Sequence, residues 1–149
     1  MGGGLPGPRA FVGDGLKAIT IPQPWASLVA IGAKTIDTRP YATSYRGPLA
    51  IHAARAEPIV DDPYYRALLS AAGLAVTALP RGKIIAVGRL AACERITPAA
   101  CPCYPEYAFS TFTPGWYAWK IDAIRPLETP RPFKGHRGVW ECPLPPDAP

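Results

Sequence analysis

Residues 16–55, LKAITIPQPWASLVAIGAKTIDTRPYATSYRGPLAIHAAR, constrain the fold of this chain more than any other stretch. They set a short charged run, Gly32 to Arg39, between two apolar elements. Ile19-Thr20-Ile21 is β-branched, which predicts a strand over 16–21. Pro22 stops that strand, and Pro24 suits a helix's first turn, where a missing N–H costs nothing. Trp25, Leu28 and Val29 fall at i, i+3 and i+4, one face of a helix over about 24–32. Gly32 predicts a left-handed C-cap. Thr35, Asp37 and Arg39 then alternate with Ile36 and Thr38. That puts Asp37 and Arg39 on one side of a strand over 35–39, ended by Pro40, with Lys34 at its mouth. A polar loop, 42–47, leads to a third strand, Leu49–Ala53.

The remainder reads as scaffold or decoration. Met1–Gly15 is Gly/Pro-rich without periodicity and reads as a flexible tail. Asp61-Asp62-Pro63 is a helix start, followed by an amphipathic helix on Tyr64, Leu68 and Leu69 that runs to Gly73. Lys83–Ala92 is almost continuously apolar, a strand buried on both faces with a bulge or kink at Gly88. Residues 97–115 form a long proline-rich loop. Trp116–Ile124 alternates Trp119, Ile121 and Ala123 against Lys120 and Asp122, a half-exposed strand. Val139-Trp140 ends the last strand, and Pro143–Pro149 is a second tail. Several strands, an early helix and no βα repeat imply an α+β fold, a small mixed barrel rather than a doubly wound sheet.

The sequence resembles the ASCH domain, a member of the PUA-like fold group. The likeness rests on Gln23-Pro24-Trp25, on Gly32, Lys34, Asp37 and Arg39 in a Gly-x-Lys-x-x-Glu-x-Arg pattern, on Tyr45-Arg46-Gly47-Pro48-Leu49 before Ile51-His52-Ala53, and on Lys134-Gly135-His136-Arg137-Gly138-Val139-Trp140. It spans residues 16–142, with Asp37 in place of the family's usual Glu. The resemblance implies a PUA-like β-barrel with the early helix packed beside a cleft. It also implies a nucleic-acid partner, RNA before DNA. Some compact ASCH proteins instead deacetylate acetylcytidine or cleave RNA, so the alternative is a small hydrolase acting on a modified nucleoside or on single-stranded RNA. In those amidohydrolases the motif lysine works with a threonine three residues on and a distant glutamate. Lys34 matches the lysine, Asp37 occupies the threonine's place, and Glu94 is the nearest match to the glutamate.

Charge fits either partner. The chain carries a net +5 on 149 residues, which favours polyanions without identifying one. Candidate ligand-binding residues are Lys34, Asp37, Arg39, Tyr45, Arg46, His52, Lys134 and Arg137; the candidate catalytic pair is Lys34 and Asp37. Lys34, Asp37 and Arg39 fit a cleft with one carboxylate between two cations, and equally a solvated salt-bridged edge. Lys34 as a base needs a depressed pKa; charged, it still stabilises a phosphate or an oxyanion. A lone histidine such as His52 is more often structural than catalytic. Trp25, Trp116, Tyr117 and Trp119 offer stacking surface for bases, although most of them read as core; Tyr41 and Tyr45 are the better stacking candidates. Of the cysteines, Cys93, Cys101, Cys103 and Cys142, none forms a CxxC pair, so free thiols and no metal or cofactor are expected. No apolar run reaches the ~18 residues of a membrane span, and the N-terminus lacks a signal peptide's basic start and apolar core. The expectation is a cytoplasmic monomer.

Overall fold

The computed structural model describes residues 16–58, 62–99, 109–110 and 112–149. The predicted N-terminal tail, Asp61, Cys101, Cys103 and most of the 97–115 loop lie outside the described residues. Six strands and two helices follow in the order β1 (Leu16–Ile21), α1 (Trp25–Ala30), β2 (Ile36–Arg39), β3 (Gly47–Ala53), α2 (Pro63–Ala71), β4 (Lys83–Arg95), β5 (Tyr117–Pro132) and β6 (Trp140–Cys142), with a short 3-10 turn at Val76–Ala78. The strands form one mixed sheet in the order β2-β5-β4-β3-β1-β6. β1 and β3 run parallel; the other neighbours are antiparallel. The α+β class is therefore as expected, and the hydrogen-bonded order ends at β2 on one side and β6 on the other.

Local signals place the first elements. At the end of α1, Gly32 N–H donates to Val29 O and Ala33 N–H to Leu28 O, the paired bonds of a Schellman cap. Gly32 has φ +82°, the left-handed value expected there. Lys34 N–H also returns to Leu28 O, so the cap fixes where the Lys34 side chain departs. The Gln23 amide holds the other end. Its Oε1 accepts from Ser27 N–H, while its Nε2 donates to Ser27 Oγ and Pro80 O. At α2, Asp62 accepts from Tyr64 N–H ahead of Pro63, as the helix-start signal required. The buried side of α2 carries Tyr65 and Leu69 rather than Tyr64 and Leu68.

Two apolar layers sandwich the sheet. Ile19, Ile21, Leu49, Ile51, Trp119 and Ile121 pack with Val29 of α1, and Leu16, Ala18, Ala50, Ile84, Leu127 and Trp140 form the second layer. Neighbouring residues such as Leu49, Ala50 and Ile51 fall into alternate layers because strand side chains alternate faces. β4 is buried on both faces over Ile84–Gly88 and alternates beyond it. A Cβ on Gly88 would lie 2.8 Å from Ile124 Cδ1 and 2.9 Å from Asp122 O. Only a glycine lets β5 approach there, and the β4–β5 register shifts at that point.

β5 differs from the sequence reading in two ways. Ala123 does not face inward: it has φ +51° and is exposed, so the alternation breaks after Ile121. The strand also continues through Pro126, Pro130 and Pro132. β2 pairs only with Tyr117–Lys120, so among the described residues β5 beyond Ile121 has a strand neighbour on one side alone, where proline is tolerated. The segment after β6, read as a tail, folds back: Leu144 and Ala148 are buried, and Arg125 donates to Ala148 O and Pro146 O. Among the described residues, no helix is long and apolar enough to cross a membrane.

Candidate functional site

The charged run expected at the mouth of β2 lines a real concavity. A cavity of about 410 Å³ is bounded by Ile21, Pro22 and Trp25 from the β1–α1 corner, Lys34, Asp37 and Thr38 from β2 and its approach, and Phe109, Ser110, Thr113 and Trp116. That volume is in the range that accepts a nucleoside-sized ligand. The described end of the 97–115 loop thus forms one wall. It is tied down by Ile96 N–H to Trp116 O and Gly115 N–H to Ile96 O.

Lys34 is only 3% exposed. Its ammonium donates to Ile36 O and, at 2.8 Å, to Ser110 Oγ. Trp25 contributes an indole N–H that is buried and has no hydrogen-bond partner among the described residues. Such a donor costs free energy unless something accepts from it. Asp37 Oδ2 accepts from Arg39 Nε at 2.6 Å, leaving the second carboxylate oxygen outside that bond.

Arg39 joins this cavity to the next. Its Nη2 donates to Thr20 O at 2.9 Å, its Nη1 to Tyr41 Oη at 3.0 Å, and its guanidinium lies 5.1 Å from the Trp119 ring centre. Burial works to lower the Arg39 pKa, but the charge and hydrogen bond of Asp37 overcome it and the net shift is upward. Arg39 therefore stays a cation. It lines a neighbouring hollow of about 590 Å³ with Thr20, Tyr41, His136, Arg137 and Gly138. The ammonium and carboxylate share one cavity, and the guanidinium opens onto the adjoining one.

The other sequence candidates scatter. His52, Lys134 and Arg137 line a third hollow, of about 400 Å³. Tyr45 packs against the main core and donates its hydroxyl to Pro48 O, and burial pushes its phenol pKa up. Arg46 donates to Thr43 O and Tyr45 O in its own loop. Neither Tyr45 nor Arg46 lines any of the three cavities. Glu94 is exposed and ion-paired with Lys120 at 2.7 Å, likewise outside them. The sequence reading missed Phe109 and Ser110 as cavity walls, and named Trp25 and Trp116 only as general stacking surface without placing them here. Trp116 follows the turn-forming Pro114-Gly115 and is 38% exposed, so the turn was the available signal.

His52 is a framework residue. It sits on the Ala50 side of β3, opposite Leu49 and Ile51, as the alternation required. Its Nε2 lies 2.7 Å from Phe133 O; a carbonyl only accepts, so Nε2 carries the hydrogen. Nδ1 then accepts from the Thr20 hydroxyl at 3.2 Å. Burial lowers the His52 pKa first, the Phe133 carbonyl opposes that, and His136 adds to the lowering. The unfolded chain consequently binds a proton at this site before the folded one does. Stability is expected to be whole above pH ~6.5 and to fall as pH drops from there towards the lowered folded value. Urea midpoints measured from pH 8 to 5 should show this decline, and His52→Gln should flatten it. An equal decline in the variant would remove His52 as its source.

Among the described residues, no group of three or more His, Cys, Asp and Glu side chains is placed to hold a metal ion. Cys93 and Cys142 are free thiols. No protein-family model matches the chain, and no curated protein matches it in sequence.

Proposed function

We propose that this chain is an ASCH-type, PUA-like domain that binds single-stranded RNA, with one unstacked base held in the cavity of Lys34 and Asp37. The observation that carries this reading is the make-up of that cavity. Trp25, Phe109 and Trp116 line it together with the nearly fully buried Lys34 and with Asp37. Flat walls suit a base, and the polar groups suit the donors and acceptors on its edge. The adjoining hollow, with Arg39 and Arg137, suits backbone phosphates. A PUA-like barrel is supported by the seam between β1 and β2. Among the described residues β6 pairs only with Leu16–Ala18, and Arg39 reaches from β2 to the part of β1 that β6 leaves unpaired, at Thr20 O.

Titration of a short single-stranded RNA, followed by tryptophan fluorescence, tests this. Trp116→Ala is expected to weaken binding by about 1–3 kcal/mol, the worth of one stacked base. The fold should be undisturbed, because the residue is exposed. Affinity should also fall with added salt. Unchanged affinity in the variant, or equal affinity for duplex DNA, overturns the reading.

A second reading, hydrolysis of a modified nucleoside, draws on the 2.8 Å contact between Lys34 Nζ and Ser110 Oγ inside the same cavity. Incubation with acetylcytidine separates the two: product formation that Lys34→Ala abolishes favours hydrolysis. The exposed, ion-paired Glu94 gives that reading less support.

A further inference from the structure

We infer a phosphate-binding site on the far side of the His136–Arg137 ridge, separate from the base cavity. It rests on the hollow lined by Thr20, His52, Arg55, Lys134, His136 and Arg137. Arg55, Lys134 and Arg137 are exposed, and none makes a side-chain ion pair or hydrogen bond among the described residues. Among the described residues no carboxylate lines it. Elsewhere many of the cations are engaged: Lys17 with Glu141, Arg81 with Glu57, Arg89 with Asp122 and Lys120 with Glu94. Three unengaged cations converging on one hollow form a site suited to an anion.

The frame beneath them is rigid. His52 donates to Phe133 O, and the Thr20 hydroxyl sits 3.4 Å from His136 O while accepting from Trp140 Nε1 at 3.1 Å. Gly135 lies directly on this pair: a Cβ there would sit 2.7 Å from His52 Cε1 and 2.8 Å from Thr20 Oγ1. The backbone is thus held from below at Phe133 by the His52 N–H, and at Gly135 by close packing on His52 and Thr20. The side chains of Lys134 and Arg137 leave a fixed base, which reduces the ordering cost of gripping a ligand. Arg55 faces them from the end of β3, across Gly82. His52 and Thr20 hold the loop and are positioning residues, whereas the three cations do the binding.

This site extends the RNA reading and depends on it for the source of the phosphate. Arg137 and His136 line both this hollow and the one that holds Arg39, so a strand whose base enters beside Lys34 has a continuous cationic path across the ridge. The path ends at a phosphate group held by Arg55, Lys134 and Arg137.

Two probes distinguish failure of this site from failure of the base cavity. Inorganic pyrophosphate carries the anion without a base, and unphosphorylated cytidine carries a base without the anion. In amide-resolved NMR, pyrophosphate is expected to shift Gly135, Arg137 and Gly82 and leave Ser110 and Trp116 still; cytidine is expected to do the reverse. An Arg55→Gln, Lys134→Gln, Arg137→Gln chain should lose the pyrophosphate response and keep the cytidine response. Its log affinity for single-stranded RNA should fall less steeply with log salt, the slope shrinking by about 0.7 when one phosphate fewer is neutralised. Absence of a pyrophosphate response at Gly135 and Arg137, or an unchanged salt slope in the variant, overturns the site. Absence of a cytidine response bears on the base cavity alone.

Discussion

An Arg39→Met chain is expected to lose about 3–5 kcal/mol of stability, and an Asp37→Asn, Arg39→Met chain to regain a substantial part of that loss. The pair meets at 2.6 Å with each side chain only 13% exposed, so water cannot replace the missing partner cheaply. Methionine keeps the stem volume but leaves Asp37 as an unpaired carboxylate in a half-dry setting. It also leaves Thr20 O and Tyr41 Oη without the donor they have now. Urea unfolding of the parent, both single variants and the double variant gives the coupling energy directly. A loss below about 1 kcal/mol in the single variant would put the pair in the class of surface ion pairs. Arg39 would then not be what ties β1 to β2.

Trp119→Ala is expected to cost about 3–5 kcal/mol as well, by a different route. Trp119 is fully buried in the main core. Its indole N–H donates to Tyr41 O at 3.1 Å, and Tyr41 meets its ring edge-on at 5.8 Å. Its face supports the Arg39 guanidinium. Alanine leaves a cavity and removes the platform under Arg39, so stability and the site suffer together. Against a typical domain stability of about 5–15 kcal/mol, the variant should unfold at far lower urea than its parent. Trp119→Phe keeps most of the volume and loses the N–H, so it should recover most of the stability. A Trp119→Ala midpoint near that of the parent would show that the core does not depend on this ring.

The parts of the fold that were legible carry their instructions locally. Pro22, Pro24 and Gly32 mark the ends of α1 whatever surrounds them, and Asp62-Pro63 does the same for α2. Gly88 signals a close approach that only glycine permits. The hidden parts depend on distant partners. Pro126, Pro130 and Pro132 look like strand breakers until β2 is seen to pair no further along β5 than Lys120, which leaves that edge without a strand neighbour among the described residues. Lys34 sits in a polar run that reads as wet, yet it is buried because Ser110, 76 positions later, completes its surroundings. Trp25 reads as core from its helical spacing and is a cavity wall. Arg39 and Asp37 do lie side by side as their alternation implied, but nothing in their spacing indicates that Thr20 O turns the pair into a bridge.

That bridge has a mechanical consequence. Among the described residues no backbone hydrogen bond joins β1 to β2, so this seam is fastened by a side chain while the strands on either side are stitched by ladders. An anion bound at the guanidinium competes for the same donors that hold Thr20 O, whereas the backbone ladders on either side have no part in that competition.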